Sequence, residues 1–400
     1  MVVAPEYRVF VAETVTGRIA ADLPVESLKW GSRLNDAGPL EVAFPADASE
    51  FARVDVRAAT EPDRMSLAVD FGGVILEAGP IRKRKYNWET GALTVSGAGL
   101  WSILDRVKAL NWAQITAGTA VTRTSLDLSG LALASIAREL VRIPMQANPD
   151  NPGLPIVLPA LVAGADERHV KGYELQWVGD LLRNLTKVKD GPDIAFRPRY
   201  TAADATRIEW VMATGTETDP LLHQSGADWI WDPAVDESGV VMLDVEEDAS
   251  KMAARVWQPG AGSELDMKLA TAVDTTLVAK AGYPWTEADV ASKDIEDLAF
   301  LQKHANAALA RSARPVSPWG IPVRADAAPL LGTYSPGDFA QLNIPAGHPL
   351  IGQGMQRVRI MALDGDGSLE VKITPAPIVS ALGATAYGAS RIEGGVRTDL

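Results

Sequence analysis

The sequence predicts a mainly β chain of the α+β class, with two β-rich segments flanking a mixed α+β segment. Three observations predict it. Near the front, residues 74–88 read as one extended strand, and Glu89-Thr90-Gly91 turns it into a second strand over 92–96. Near the back, residues 356–363 and 368–374 read as a hairpin around Asp364-Gly365-Asp366-Gly367. Between these ends, Leu175, Val178, Leu182 and Leu185 fall on one face at helical spacing, with Leu181 beside them.

The elements follow in order. Residues 7–13 and 26–34 alternate loosely, and Asn35-Asp36-Ala37-Gly38 supplies turn chemistry before a strand at 40–44. A short helical turn fits 49–54, and 64–71 pairs with 73–88 around Gly72-Gly73. Five or six strands with one small helix predict a closed or nearly closed barrel, an arrangement that leaves no exposed sheet edge. Gly97-Ala98-Gly99 stops the strand run, and 100–107 begins a helix. Ser129 is a candidate N-cap for a helix over 131–142, ended by Pro144, and 144–159 reads as a surface loop. Residues 175–188 form a further helix, and strands follow at 194–200 and 207–212. Strands return at 239–246 and 254–258. Residues 289–311 are the clearest helix, with Ile295, Leu298, Leu301 or Gln302, Ala305 and Leu309 as its apolar stripe and Pro315 as its end. Strands then run from 316 to about 374. The boundaries expected are 1–97, 98–237, 238–378 with the helix 289–311 inserted, and a small, polar, glycine-rich tail at 379–400 that is mobile until a partner orders it.

A chain of 400 residues exceeds one ordinary core, so two to four domains are expected. The formal charge of −13 argues against a nucleic-acid grip, which needs a basic surface, but suits a wall that DNA passes without sticking. The chain has no cysteine, which excludes disulfides, thiol chemistry and cysteine-ligated metals. Its N-terminus lacks the plan of a secretory signal, and no apolar run approaches the ~18 residues of a spanning helix.

No reactive constellation is legible, and no catalytic, cofactor-binding or metal-ligating residue is assigned. His169, His223, His304 and His348 have no metal-ligand spacing. Gly97-Ala98-Gly99 lies between strand and helix, the context of a phosphate cradle, but lacks the third glycine and the acidic partner. It reads as a tight turn. The run from Asp364 to Glu370 has alternating oxygens like a calcium loop, yet its twelfth position is Pro375 and its flanks are strands, so a hairpin turn is preferred. Asp244, Glu246, Glu247 and Asp248 could serve a glycosidase, but carboxylates packed so closely in sequence usually mark a solvated strand end.

Two groups remain as candidate partner-docking residues. Trp229 and Trp231 would share one face of a strand, as core or as a docking patch; Trp30, Trp101, Trp177 and Trp257 read as core. Arg82-Lys83-Arg84-Lys85 is the only dense basic run, which on a strand charges both faces and suits an exposed edge or contact with an acidic neighbouring subunit.

Several of these segments resemble tailed-bacteriophage hub proteins, also called minor tail proteins or the hub portion of tail-associated lysins, and related to the baseplate hubs of contractile tails. The likeness lies in the strand around Gly79-Pro80-Ile81, the strand ending Leu93-Thr94-Val95-Ser96-Gly97, and the helix opening Leu100-Trp101-Ser102-Ile103. Further pieces are 177–185, 247–256, Gly332-Thr333-Tyr334-Ser335-Pro336-Gly337-Asp338 and Arg357-Val358-Arg359-Ile360. It spans about residues 5–376, through structural patterns and not an active-site signature. The resemblance implies two tube-like β-barrel domains with peripheral α+β domains, a homotrimer with a six-fold-like ring that continues the tail tube, and no enzymatic activity. Implied partners are the distal tail protein, the tape-measure protein and tail-tip or fibre proteins, with phage DNA passing through unbound. The implied location is the tail tip of the virion. Lysin-type relatives carry a peptidase or glycosidase after the hub, whereas this sequence stops soon after its last strand. The rivals are a carbohydrate-binding adhesin using Trp229 and Trp231, a distal tail ring, and a cell-wall hydrolase.

Overall fold

The computed structural model describes residues 6–377, apart from 48, 50–53, 189, 202–203, 234, 236–238, 241–243, 246–247, 291–294, 313–318 and 351. The protein is mainly β with α+β character. The tail at 379–400 lies outside the described residues.

One large sheet joins the two ends of the chain. Its hydrogen-bonded order runs Asp244–Val245, Trp319–Arg324, Glu370–Pro377, Gly354–Gly365, Ser27–Arg33, Pro39–Pro45, Ala92–Ala98, Val74–Tyr86, Met65–Phe71, Tyr7–Glu13, Ile19–Asp22. Phe339–Ile344 adds to Gly354–Gly365, and Trp229–Trp231 adds in parallel to Phe339–Ile344. The seam between front and back is short: Arg33 faces Ala362, Ser32 faces Leu363, Gly31 faces Asp364 and Trp30 faces Gly365. Arg33 fastens it by donating to the Leu363 carbonyl at 2.9 Å and pairing with Asp364. Gly365 is required there, because a Cβ would lie 2.4 Å from Trp30 Nε1. Among the described residues the hydrogen-bonded path does not close on itself, because the front strands pair onward across this seam to the back.

Period-2 alternation divides the sheet between two cores. In Tyr7–Glu13, Val9 and Val11 enter a core with Trp30, Phe44, Ile321 and Ile360, while Phe10 and Ala12 enter a second core with Trp101, Ile136, Leu182 and Trp210. Met65–Phe71 is buried along its whole length for the same reason. The second core is capped by helices Leu133–Arg142 and Val178–Thr186 and by the hairpin Ile194–Thr201 with Asp204–Thr214.

A third, smaller core of Ala270, Ala272, Leu301 and Ala305 lies between helix Leu298–Ser312 and a sheet of Arg255–Pro259, Leu269–Val273 and Glu287–Asp289. The long helix therefore starts later than its periodicity suggests. Glu287–Asp289 is a strand paired with Arg255–Trp257, and Leu298 is exposed.

Other expectations need correction at helix starts. Ser129 belongs to strand Ser125–Leu131, and the helix begins at Leu133 from an Ala132 N-cap that makes no side-chain bond. Leu175 takes a left-handed conformation (φ 48°) and is exposed, so the next helix starts at Val178 and its buried stripe is Val178, Leu182 and Leu185. The helix after Gly99 is a single turn, Trp101–Leu104.

Candidate functional site

Glycine spacing in the front sheet builds a cavity before any functional group enters. Strands Val74–Tyr86 and Ala92–Ala98 approach so closely that a Cβ on Gly97 would lie 2.3 Å from the Pro80 carbonyl oxygen. A Cβ on Gly99 would lie 2.7 Å from Glu77 Oε1, and one on Gly38 would meet Glu77 Oε2 at 2.7 Å. The Gly97-Ala98-Gly99 turn thus admits a buried carboxyl. Glu77 is 5 % exposed, and burial pushes its pKa up to about 8 against the pull of the Ala78 N–H, the Ser32 hydroxyl and the Arg33 charge. At neutral pH it is largely a neutral acid. It lines a cavity of about 190 Å³ with Arg33, Trp101, Phe196, Arg197 and Tyr334, where front, middle and back segments meet.

A second polar junction lies beside it. Asp193 and Arg359 form an ion pair and are only 4 % and 2 % exposed. Asp193 Oδ1 accepts from Asn35 Nδ2 at 3.0 Å and Oδ2 from the Leu222 N–H at 2.9 Å. Arg359 also donates to the carbonyls of Gly337 and Leu222. Asn35, held at φ 62°, receives the Ile194 N–H on its side chain at 2.7 Å. One buried network therefore ties the turn after Ser27–Arg33, the start of Ile194–Thr201 and the strand Gly354–Gly365. The carboxyls of both junctions bond protein groups: Glu77 the Ala78 N–H and the Ser32 hydroxyl, and Asp193 the Asn35 amide, the Leu222 N–H and Arg359.

The tryptophan pair divides by depth. Both indoles are on the core side of Trp229–Trp231, with Ile230 exposed between them. Trp231 is 1 % exposed and meets Tyr334 edge-on at 5.2 Å, which makes it core. Trp229 is half-buried and donates from Nε1 to Asp338 at 3.2 Å. A sugar-stacking platform of two indoles is therefore not presented. Trp30 and Trp101 are buried as read from the sequence, whereas Trp177 is exposed with Lys108 Nζ 3.1 Å over its ring, and Trp257 is half-buried beside Arg255.

The basic run divides by face. Arg82 pairs with Asp63 and Arg84 donates to the Arg57 carbonyl at 2.7 Å, so both arginines are held within the chain. Lys83 and Lys85 point outward and have no ion-pair partner among the described residues. Beyond them the strand ends at Tyr86, two residues before its expected end, and the turn expected at Glu89-Thr90-Gly91 takes in Trp88 as well. Asn87 Oδ1 accepts from the Glu89 N–H at 3.0 Å, Gly91 has φ 68°, and Trp88 is left 87 % exposed with Tyr86 edge-on at 6.0 Å. The signal available in the sequence was Asn87, whose side chain favours a turn two residues on.

Other candidate motifs resolve as local structure. Asp364 pairs with Arg33, and Asp366 accepts from the Ser368 N–H at 3.0 Å, the bonding of a hairpin turn. His169 bonds Asp127, and His223 bonds Asp219. Asp248 caps the Ser250 N–H, while Glu246 and Glu247 lie outside the described residues. Among the described residues no helix is long and apolar enough to cross a membrane.

Neither a protein-family model nor a curated protein matches the sequence. Solved structures do match in shape. A tail protein from Neisseria meningitidis MC58 superposes with a TM-score of 0.51 at 16 % identity, over 92 % of this chain and 96 % of that one. The 43 kDa tail protein of prophage MuSo2 from Shewanella oneidensis gives 0.54 at 11 % identity, over 93 % and 98 %. The chain has the fold of phage tail proteins. At such identities the likeness is one of architecture, and both chains are covered almost end to end.

Proposed function

We propose that this protein is a structural component of a phage virion: a homotrimeric tail-tip hub that continues the tail tube and connects it to host-contacting tip proteins. The observation that carries the reading is the sheet shared by the two ends of the chain, seamed at Arg33–Ala362, in a fold matching tail proteins over nearly its full length. In this reading the front and back strands are two tube-like β-barrel domains completed on assembly, and three chains contribute six such units to a closed ring. The α+β segment and the Arg255–Ser312 unit decorate the outside. The distal tail protein, the tape-measure protein and a tip or fibre protein are the neighbours, and DNA passes an acidic wall without specific binding. In this reading the protein is not an enzyme, and its buried carboxyls act as structural ties.

The hairpin tip is the subunit contact in this proposal. Trp88 and Tyr86 offer apolar area at low entropic cost, and Lys83 and Lys85 suit the acidic surface of a neighbouring copy. Light scattering coupled to size exclusion tests the reading. A mass of three chains supports the hub, a six-chain mass assigns a distal tail ring, and a single-chain mass at all concentrations contradicts self-assembly.

A further inference from the structure

The small sheet that packs on helix Leu298–Ser312 has two unlike faces. Ala270 and Ala272 are buried against the helix, and Val256 is buried on the same side. Alternation and register put Arg255, Trp257, Leu269, Thr271, Glu287 and Asp289 on the opposite face. That face is open: Thr271, Glu287 and Asp289 are exposed, and Leu269 and the neighbouring Trp285 are each 45 % exposed. The Arg255 guanidinium lies between two indoles, 5.0 Å from the ring centre of Trp257 and 5.0 Å from that of Trp285. Trp285 Nε1 also donates to Glu287 at 3.2 Å. Both indoles are thus positioned in advance, and a partner that docks on them loses little side-chain entropy.

The hairpin tip at Tyr86–Trp88 has matching character. Trp88 is 87 % exposed and finds no such surface in its own chain. Beside it the outward charges are Lys83 and Lys85 against the one carboxylate Glu89, a net positive set. The open sheet face carries Glu287 and Asp289 against the one cation Arg255, a net negative set. Other exposed apolar groups lack this match. The rings of Tyr173 and Trp177 are already approached by Lys171 and Lys108, and residues 345–355, around the exposed Leu350, contain no carboxylate.

We propose that the hairpin tip of one copy docks on the Trp257–Trp285 face of the next copy. The inference rests on the hub reading, in which copies of this chain meet at the tip, and it names the surface that receives it. A ring of three needs a heterologous contact, with two different patches on every chain, and the tip and this face are two such patches. Trp88 lies against Trp257, Trp285 and Leu269, while Lys83 and Lys85 approach Asp289 and Glu287.

The chain has no cysteine, so two engineered thiols test the contact without background. Full-length Thr90→Cys, in the turn, and Thr271→Cys, on the sheet face, are mixed with a short bismaleimide, and the mass of the mixture is read by light scattering. Cross-linked pairs in the mixture, and in neither variant alone, support the contact. A three-chain mass without a cross-link overturns the contact and leaves the hub standing, whereas a single-chain mass without a cross-link overturns both. Cross-linking in the mixture at a six-chain mass keeps the contact and removes the hub. Cross-linking of Thr90→Cys with itself sets tip against tip and overturns the proposal. Charge reversal is the second readout: Lys83→Glu with Lys85→Glu is expected to weaken association about tenfold, and adding Asp289→Lys to restore part of it. A loss that Asp289→Lys leaves unchanged or deepens overturns the pairing.

Discussion

Replacing Glu77 by Gln should flatten the pH dependence of stability between pH 4.5 and 8. The carboxyl is 5 % exposed, and its pKa rises from the ordinary 4.5 to about 8. Below pH 4.5 the folded and unfolded chains both bind this proton. Between the two values the unfolded chain loses it while the folded chain keeps it, so stability falls as pH rises. At about 1.4 kcal/mol per pH unit, the displacement from 4.5 to about 8 amounts to about 5 kcal/mol, lost by the time pH passes 8. Gln occupies nearly the same volume, cannot ionise and can still accept the Ala78 N–H. The variant should therefore match the wild type near pH 4.5 and exceed it near pH 8.5. Denaturant unfolding of both proteins at half-unit pH steps isolates Glu77, because every other titrating group cancels in the difference. A difference constant within about 0.5 kcal/mol across the range would mean that Glu77 is ionised in the folded protein, and would refute the account of the cavity.

Other expectations are shorter. Arg359→Leu leaves Asp193 buried without its countercharge and should cost about 3–5 kcal/mol, whereas Arg359→Leu with Asp193→Asn should recover part of that loss in the same unfolding assay. Strictly additive losses would show that the pair is not coupled. Gly97→Ala, whose Cβ would meet the Pro80 carbonyl oxygen at 2.3 Å, should cost about 1–3 kcal/mol by overpacking; an unchanged denaturation midpoint counts against the close approach. Trp88→Ser with Lys83→Glu should change single-chain stability by less than about 0.5 kcal/mol yet lower the assembled mass in light scattering. Normal assembly would remove the hairpin tip from the subunit contact.

Much of the fold was legible because alternation and turn chemistry are local. The strand Val74–Tyr86, its partner Ala92–Ala98 and the hairpin Gly354–Gly365 with Glu370–Pro377 all lie where period-2 patterning and Asx or Gly turns place them. Helix starts were less legible. Leu175 has the right spacing for the helical stripe, but a left-handed backbone turns it outward, and Ser129 has the chemistry of an N-cap while serving in a strand. The seam between Arg33 and Ala362 could not be read, since pairing across such a sequence separation leaves no local periodicity. Nothing local in the sequence marks Glu77, because its burial depends on Gly38 and Gly99 arriving from beside other strands. The basic run shows both sides: alternation correctly put charge on two faces, but only the structure shows that Arg82 and Arg84 are engaged by Asp63 and the Arg57 carbonyl while the two lysines stay outward.

The measurement that tests the central proposal most directly is negative-stain microscopy of the purified chain, sorted into class averages. The hub reading predicts threefold rings with a central hole. Compact single-chain particles at every concentration, or rings of six, would contradict it.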